Sequence, residues 1–363
     1  MRPTGPIRVL IIDAAPVFAR TLAAELNRCA GLHARASGGY LEELRGHLLQ
    51  FHPEVILLDL GLRQPDALDL LHRLRGHYPV PIIVLAMDTT AGRDAAALAL
   101  QRGALEAVRR PDSLRPEVLL PHVYELAAKI RVAAALARPV PMPLAGEAGQ
   151  FSFRASGTQP QQALLAIGAS TGGTQAIEAL LAAMPDDCPP IVIVQHMPAG
   201  FTRAFANRLN QRVPVCVREA EDGEVPGVGE ALIARGDTHL VVRSAAVGWR
   251  VQYTHQEPVN RHCPSVDVLF ESVAQVARAR AVGVLLTGMG ADGARGLLAM
   301  RAAGAATIAQ SAETCVVYGM PKVAVDLGAA LHSAAPQDVP ALVLRILQER
   351  EHAPRAAGAV RAR

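Results

Sequence analysis

"ALLAIGASTGGTQAIEALLAAM", residues 163–184, decides what kind of chain this is. Residues 163–167 form a short apolar run ending at a glycine, the pattern of a strand buried on both faces. Residues 176–184 bring apolar side chains back at helical spacing, so a strand passes into a helix across a turn of small residues. That turn holds Ser170 between Gly168 and the pair Gly172 and Gly173. A glycine-rich turn at such a seam suits an anion at the helix N-terminus, or a serine presented to a substrate.

The same alternation extends in both directions. C-terminal to the turn, strands are predicted at 191–194, 282–286 and 307–309 with helices between them. An interruption at 223–255 ("ALIARGDTHLVV", then "WRVQYTH") reads as β-hairpin material. On the N-terminal side, strands at 7–12, 32–36, 55–58, 82–85 and 105–108 alternate with helices at 17–29, 41–51, 66–78, 93–102 and 118–136. Short strands, apolar on both faces and separated by helices, belong to parallel sheets covered on both sides. Between the two runs lies "RPVPMPLAGEAGQFSFRASGTQPQQ", residues 138–162, rich in Pro, Gly, Ser and Gln and without apolar period. The expected fold class is α/β, with two doubly wound parallel-sheet domains at 7–137 and 163–347. A flexible linker at 138–162 joins them, the second carries a β-hairpin insertion, and 348–363 is a disordered tail.

Composition narrows the function. The chain has 363 residues, 50% hydrophobic, enough for two cores. Its net charge is +3, and the arginines are mixed with acids along the chain, which argues against a nucleic-acid partner. Lys129 and Lys322 are the only lysines. Five scattered cysteines without a C-x-x-C pair speak against a disulfide framework or a zinc knuckle and fit a reducing compartment. No signal peptide is read, and no run approaches the ~20 apolar residues of a membrane span. A cytoplasmic protein without membrane insertion or cofactor is expected.

Ligands of an open parallel sheet gather outside the carboxyl ends of its strands. Three polar residues fall there, each from a different strand: Ser170, His196 in "IVIVQHMPAGF" and Asp292 in "VGVLLTGMGADGARG". They form the set needed for nucleophile, general base and orienting acid. Each also has a plainer reading. Ser170 suits a helix cap or an anion-binding turn, His196 an ordinary loop histidine, and Asp292 a cap for a helix starting near Gly293. G-A-S-T-G matches the nucleophile elbow, yet the order Ser, His, Asp differs from the Ser, Asp, His of α/β-hydrolases. Triad roles follow geometry, so the chemistry survives the reordering.

With these residues in view, the chain resembles the catalytic domain of the chemotaxis protein-glutamate methylesterases. The likeness is carried by "IGASTGGTQAIEALL", "VIVQHMPAGFTRAFANRLN", "NRHCPSVDVLFESVA", "GVLLTGMGADGARGLLAMRAAGA" and "VVYGMPKVAV", which cover nearly all of 163–347. It implies hydrolysis of glutamyl methyl esters on the cytoplasmic helices of chemoreceptors, and deamidation of receptor glutamines by the same acyl-enzyme route. It makes Ser170 the nucleophile, His196 the base and Asp292 the orienting acid. Methyl-accepting chemoreceptors and a chemotaxis histidine kinase are the implied partners. Gly172 and Gly173 are expected to leave room for the ester, and the helix start to receive the oxyanion. Met289 and Gly290 are further walls or donors, and Thr171 either bonds the imidazole or caps the helix. Arg261, His262 and Ser265, from the string "NRHCPSVD", are expected in the cleft. The rival readings are a non-catalytic receptor-binding scaffold and a nucleotide-binding module, the latter lacking a Walker lysine.

Residues 7–137 resemble a response-regulator receiver, through "IRVLIIDAAPVFARTLAAEL" and "HPEVILLDLGL". Receivers phosphorylate an aspartate beside a Mg²⁺ held by two acids near the end of the first strand. Asp59 matches the acceptor and Asp13 one acid, a remnant ligand. The second acid is Ala14, the hydroxyl position is Ala86 and the lysine position is Arg110. No metal is expected, and this receiver is expected not to switch by phosphorylation.

Overall fold

The structure, a computed structural model, describes residues 5–38, 41–62, 66–78, 80–136, 152–155, 158–254 and 257–352. The N-terminal half runs β1 (Ile7–Ile12), α1 (Pro16–Arg28), β2 (Leu32–Ser37), α2 (Leu41–Phe51), β3 (Val55–Asp59), α3 (Ala67–His77), β4 (Ile82–Ala86), α4 (Thr90–Gln101), β5 (Glu106–Arg109) and α5 (Pro116–Leu136). Among the described residues its strands form one parallel sheet in the order β2-β1-β3-β4-β5. The order reverses between β1 and β3, and the carboxyl ends of those two strands carry Asp13 and Asp59. β3 and β4 are buried along their whole length, because α1 and α5 cover one face while α2, α3 and α4 cover the other.

The C-terminal half continues with β6 (Leu164–Ala169), α6 (Gly173–Ala182), β7 (Ile191–Gln195), α7 (Phe201–Asn210), β8 (Cys216–Glu219), β9 (Glu230–Ile233), β10 (His239–Ser244) and β11 (Trp249–Thr254). Then come α8 (Val266–Val276), β12 (Ala281–Leu285), α9 (Ala294–Ala302), β13 (Ala306–Gln310), α10 (Met320–Asp326), β14 (His332–Ala334) and α11 (Val339–His352). The described strands of the second sheet lie in the order β14-β13-β12-β6-β7-β9-β8, every pair parallel. Helices α6, α7 and α11 pack on one face and α8, α9 and α10 on the other. On α6 the buried Ala176, Ile177, Leu180 and Leu181 make one stripe, and each buried Leu or Ile contributes roughly 1.5–3 kcal/mol.

Four sequence expectations change here. Part of the expected hairpin, "ALI" of β9, joins the main sheet beside β7, and the hairpin proper is β10 with β11. Strands β8 and β14, absent from the sequence reading, occupy the two edges. The stretch read as a linker ends inside the second core. Phe153 is fully buried among the residues under β6 and β7, and the Phe153 and Arg154 N–H groups and the Ser152 hydroxyl donate to the Asp187 carboxylate. Residues 138–151 lie outside the described residues. The expected tail begins as helix, since α11 runs to His352, and 353–363 lie outside the described residues.

The two halves touch. Helix α4 packs on α7, and Ala86, Ala96 and Phe201 share a small buried cluster with Met197 at its margin. Met197 follows His196 directly, so β4 of the first sheet abuts the loop that carries the candidate base.

Candidate active site

Strands β7, β6 and β12 are neighbours, and their carboxyl ends deliver His196, Ser170 and Asp292 to one edge. Ser170 and Asp292 are buried, at 7% and 1% exposure, and His196 is partly buried with its side chain turned inward. The sequence placed them at adjacent strand ends, and the structure brings His196 and Asp292 into direct contact.

The Ser170 turn is held from several directions. The Ser170 N–H donates to the Thr287 carbonyl at 3.0 Å, and its own carbonyl accepts from Gly173 N and from Gln195 Nε2 at 2.9 Å. Thr287 Oγ1 donates to the Thr171 carbonyl and accepts from Val317 N, while Gln310 Oε1 accepts from Thr287 N. Gln195, Thr287 and Gln310, which the sequence reading did not single out, thus splint the nucleophile turn. The glycines also have a reason within the protein. Gly172 is left-handed at φ +78°, and a Cβ there would lie 2.3 Å from Val316. A Cβ on Gly173 would lie 2.1 Å from Gln195 Oε1. Packing within the protein is by itself enough to require both glycines. Neither Ser170 nor Thr171 caps α6, whose cap residue is Gly172 without a side-chain bond.

His196 donates Nε2–H to Asp292 Oδ2 at 2.8 Å. Its Nδ1 is buried and, among the described residues, has no hydrogen-bond partner. Thr171 therefore does not bond the imidazole. The His262 ring lies flat on the other ring, centroids 3.7 Å apart and planes 11° apart. Burial, then the neighbouring His196, pulls His262 down to about 4, so it is neutral at pH 7.

Asp292 was read as the acid or as a cap of the helix after Gly293. It caps a different helix. Its oxygens accept from Val266 N at 2.7 Å and Asp267 N at 3.3 Å, at the start of α8, and from Ser265 Oγ at 2.7 Å. Asn260 Nδ2 adds a donor at 2.7 Å. Burial pushes the Asp292 carboxyl up, but bonds from His196, Asn260 and Ser265 outweigh it and hold the group well below the usual carboxylate range. The anion is thus fixed against the imidazole and, being a carboxylate at pH 7, accepts its Nε2–H. Ser265 joins the site as a support of Asp292 rather than as cleft lining. Arg261 is exposed beside it, at φ +68°. Met289 is 45% exposed and Gly290 is left-handed, both on the rim. Gly288, just before them, faces Ser170, with a built Cβ 2.7 Å from that of the serine.

At the other strand ends, Asp13 is fully buried and Asp59 5% exposed. The Arg110 guanidinium reaches Asp13 through Nε at 3.2 Å and Nη2 at 3.3 Å, and its Nε stands 3.6 Å from Asp59 Oδ1. Phe18 backs that cation at 3.8 Å. Burial first, then Asp13, raises the Asp59 carboxyl to about 6, with Gly61 and Arg110 opposing. These residues do not fit a magnesium ion: position 14 offers no carboxylate, and a guanidinium already sits on Asp13. Among the described residues no group of three or more His, Cys, Asp or Glu is placed to hold a metal, and no helix is long and apolar enough to cross a membrane.

Comparison with known proteins bears on both halves. The family model for CheB methylesterase matches residues 165–343. A protein-glutamate methylesterase/protein-glutamine glutaminase of Anaeromyxobacter dehalogenans is 41% identical over 343 residues, 94% of this chain and 96% of its own length. The protein of that name from Salmonella typhimurium is 40% identical over 322 residues, 89% of this chain and 91% of its own. The crystal structure of the Thermotoga maritima CheB methylesterase catalytic domain is 34% identical, with a TM-score of 0.50, covering 51% of this chain and 98% of that one.

Proposed function

This chain belongs to the CheB methylesterase family, and we propose that Ser170, His196 and Asp292 carry out its chemistry. It is a hydrolase of protein glutamyl methyl esters that also deamidates protein glutamine. The observation that carries the residue assignment is the His196–Asp292 bond, which commits Nε2 and leaves the buried Nδ1 as the basic nitrogen.

In this reading Ser170 Oγ attacks the ester carbonyl as its proton passes to His196 Nδ1. The oxyanion that forms meets the N–H groups of the first turn of α6, at the positive end of its dipole. As the tetrahedral species collapses, Nδ1 returns the proton to the departing methoxide, which leaves as methanol. Water, deprotonated by the same nitrogen, then releases the glutamate carboxylate from Ser170. For a glutamine substrate the leaving group is ammonia and the remaining steps are the same. Throughout, Asp292 holds the ring and offsets the positive charge that His196 gains.

The substrates assigned to the site are methyl-accepting chemoreceptors, with residues 7–137 as a receiver-like domain and 163–347 as the esterase. The family membership and the fit of a solvent-facing rim, with Met289 and Gly290 exposed, support that assignment. Methanol release from methyl-labelled receptor membranes tests it. Release well above a protein-free control is the expected result, and release at the control level refutes it.

A further inference from the structure

We propose that Asn260 is a positioning residue, whose amide ties Asp292 to a second buried carboxylate, Asp267, and so fixes the acid against His196. The inference rests on the triad reading above. Asn260 Nδ2 lies 2.7 Å from Asp292 Oδ1 and 2.8 Å from Asp267 Oδ2, so one N–H goes to each carboxylate. Those carboxylates belong to residues only 1% and 4% exposed.

The backbone is bent to make this contact. Val259 and His262 exchange both of their main-chain hydrogen bonds, at 3.1 and 2.9 Å, around Asn260 and Arg261. Both central residues are left-handed, at φ +53° and +68°. Such a two-residue turn favours Asn followed by Gly, and an arginine in the second place is strained. The one turn therefore sets two groups at once: the Asn260 amide over the carboxylates and the His262 ring against His196.

Asp292 has other donors, in Ser265, Val266 and Asp267, and Asp267 Oδ1 accepts from Gly296 N. Of these side chains and N–H groups, Asn260 Nδ2 is the one that bonds both carboxylates. That difference matters because two desolvated anions side by side repel strongly. Burial, then the Asp292 charge, already raises the Asp267 carboxyl. Without the bridge, the repulsion between the two carboxylates is unopposed at this point, and Asp292 Oδ2 is no longer held in place against His196 Nε2.

The test is Asn260→Gly in the full chain. Glycine adopts φ +53° without strain, so the turn survives and only the amide is lost. We expect kcat to fall roughly tenfold to a hundredfold, the worth of a hydrogen bond to a charged group, with KM within about twofold. Most of the loss should vanish when Asp267→Asn is also present, because one charge then needs no bridge. Wild-type kcat, a loss carried by KM, or an undiminished loss in the double variant overturns the proposal. If Asn260→Gly does not fold, the isosteric Asn260→Asp replaces it and must lose at least as much.

A readout free of turnover is the ¹⁵N–¹H signal of His196 Nε2–H, which is held by Asp292 and flanked by the His262 ring. That signal should move upfield and exchange faster with water in Asn260→Gly as the bond to Asp292 loosens, and an unchanged signal overturns the proposal. Failure of the triad reading shows itself separately, as full methanol release by Ser170→Ala.

Discussion

Asp59→Asn should make this protein more stable at neutral pH. Asp59 is 5% exposed, with its Oδ1 lacking a hydrogen-bond partner among the described residues. Its carboxyl is raised from 3.8 to about 6, chiefly by burial and by Asp13. Between those values the native state holds a proton that the unfolded chain has lost, so stability falls as pH rises through the window. The shift of about 2.2 units corresponds to a penalty of about 3 kcal/mol at pH 7.5, declining to about 1 kcal/mol at pH 4.5. An asparagine of the same shape avoids it. The Arg110 attraction is already counted, since it opposes the rise. Calorimetry should show the transition of the N-terminal half moving up by roughly 10 °C at pH 7.5 and much less at pH 4.5. A destabilised variant at pH 7.5 would refute the reasoning, because pairing with Arg110 then outweighs the burial, and an equal gain at both pH values would refute it because the gain then has nothing to do with ionisation.

Three further outcomes follow from the same structure. A small phosphodonor with Mg²⁺ should leave the esterase rate unchanged, because Arg110 holds Asp13 and position 14 is alanine; a rise in rate that Asp59→Asn abolishes contradicts this. A fragment starting near residue 150 should fold and release methanol at least as fast as the full chain, since α4 no longer lies against α7. One starting at 161 loses the buried Phe153 and should be less stable by about 3–5 kcal/mol, read from urea melts. Gly288→Ala should cost roughly a hundredfold in turnover and also lower the melting temperature, because the new methyl would lie 2.2 Å from buried Met320 Sδ and 2.7 Å from Ser170 Cβ; turnover near wild type would show that the turn has slack.

What was legible in the sequence was what obeys local rules. Buried parallel strands are short apolar runs, so β1, β3, β4, β6, β7 and β12 were placed within two residues. Ser170, His196 and Asp292 stood out because polar residues after such runs fall at carboxyl ends. The edge strands were missed for the opposite reason: β8 and β14 are partly exposed, and "CVRE" and "HSA" carry no apolar run. Strand β9 was misplaced because the Gly-Asp pair after it imitates a hairpin turn, whereas its partner is β7, some forty residues earlier. Phe153 sits in a stretch whose composition says linker, and one aromatic cannot reveal the pocket that receives it. Asn260 carries no signal of its own in the sequence, since its role depends on two carboxylates at 267 and 292 that only folding brings together. Arg110 was legible as a departure from the receiver pattern. That its guanidinium chooses Asp13 over Asp59 was not.

The most direct measurement is methanol release from methyl-labelled receptor membranes by Ser170→Ala, beside the wild-type chain, with melting curves for both. The account predicts a loss of at least roughly a thousandfold with the fold intact, because no acyl-enzyme can form without the Ser170 hydroxyl. Release within about tenfold of wild type would contradict it, and would mean that water, not Ser170, attacks the ester.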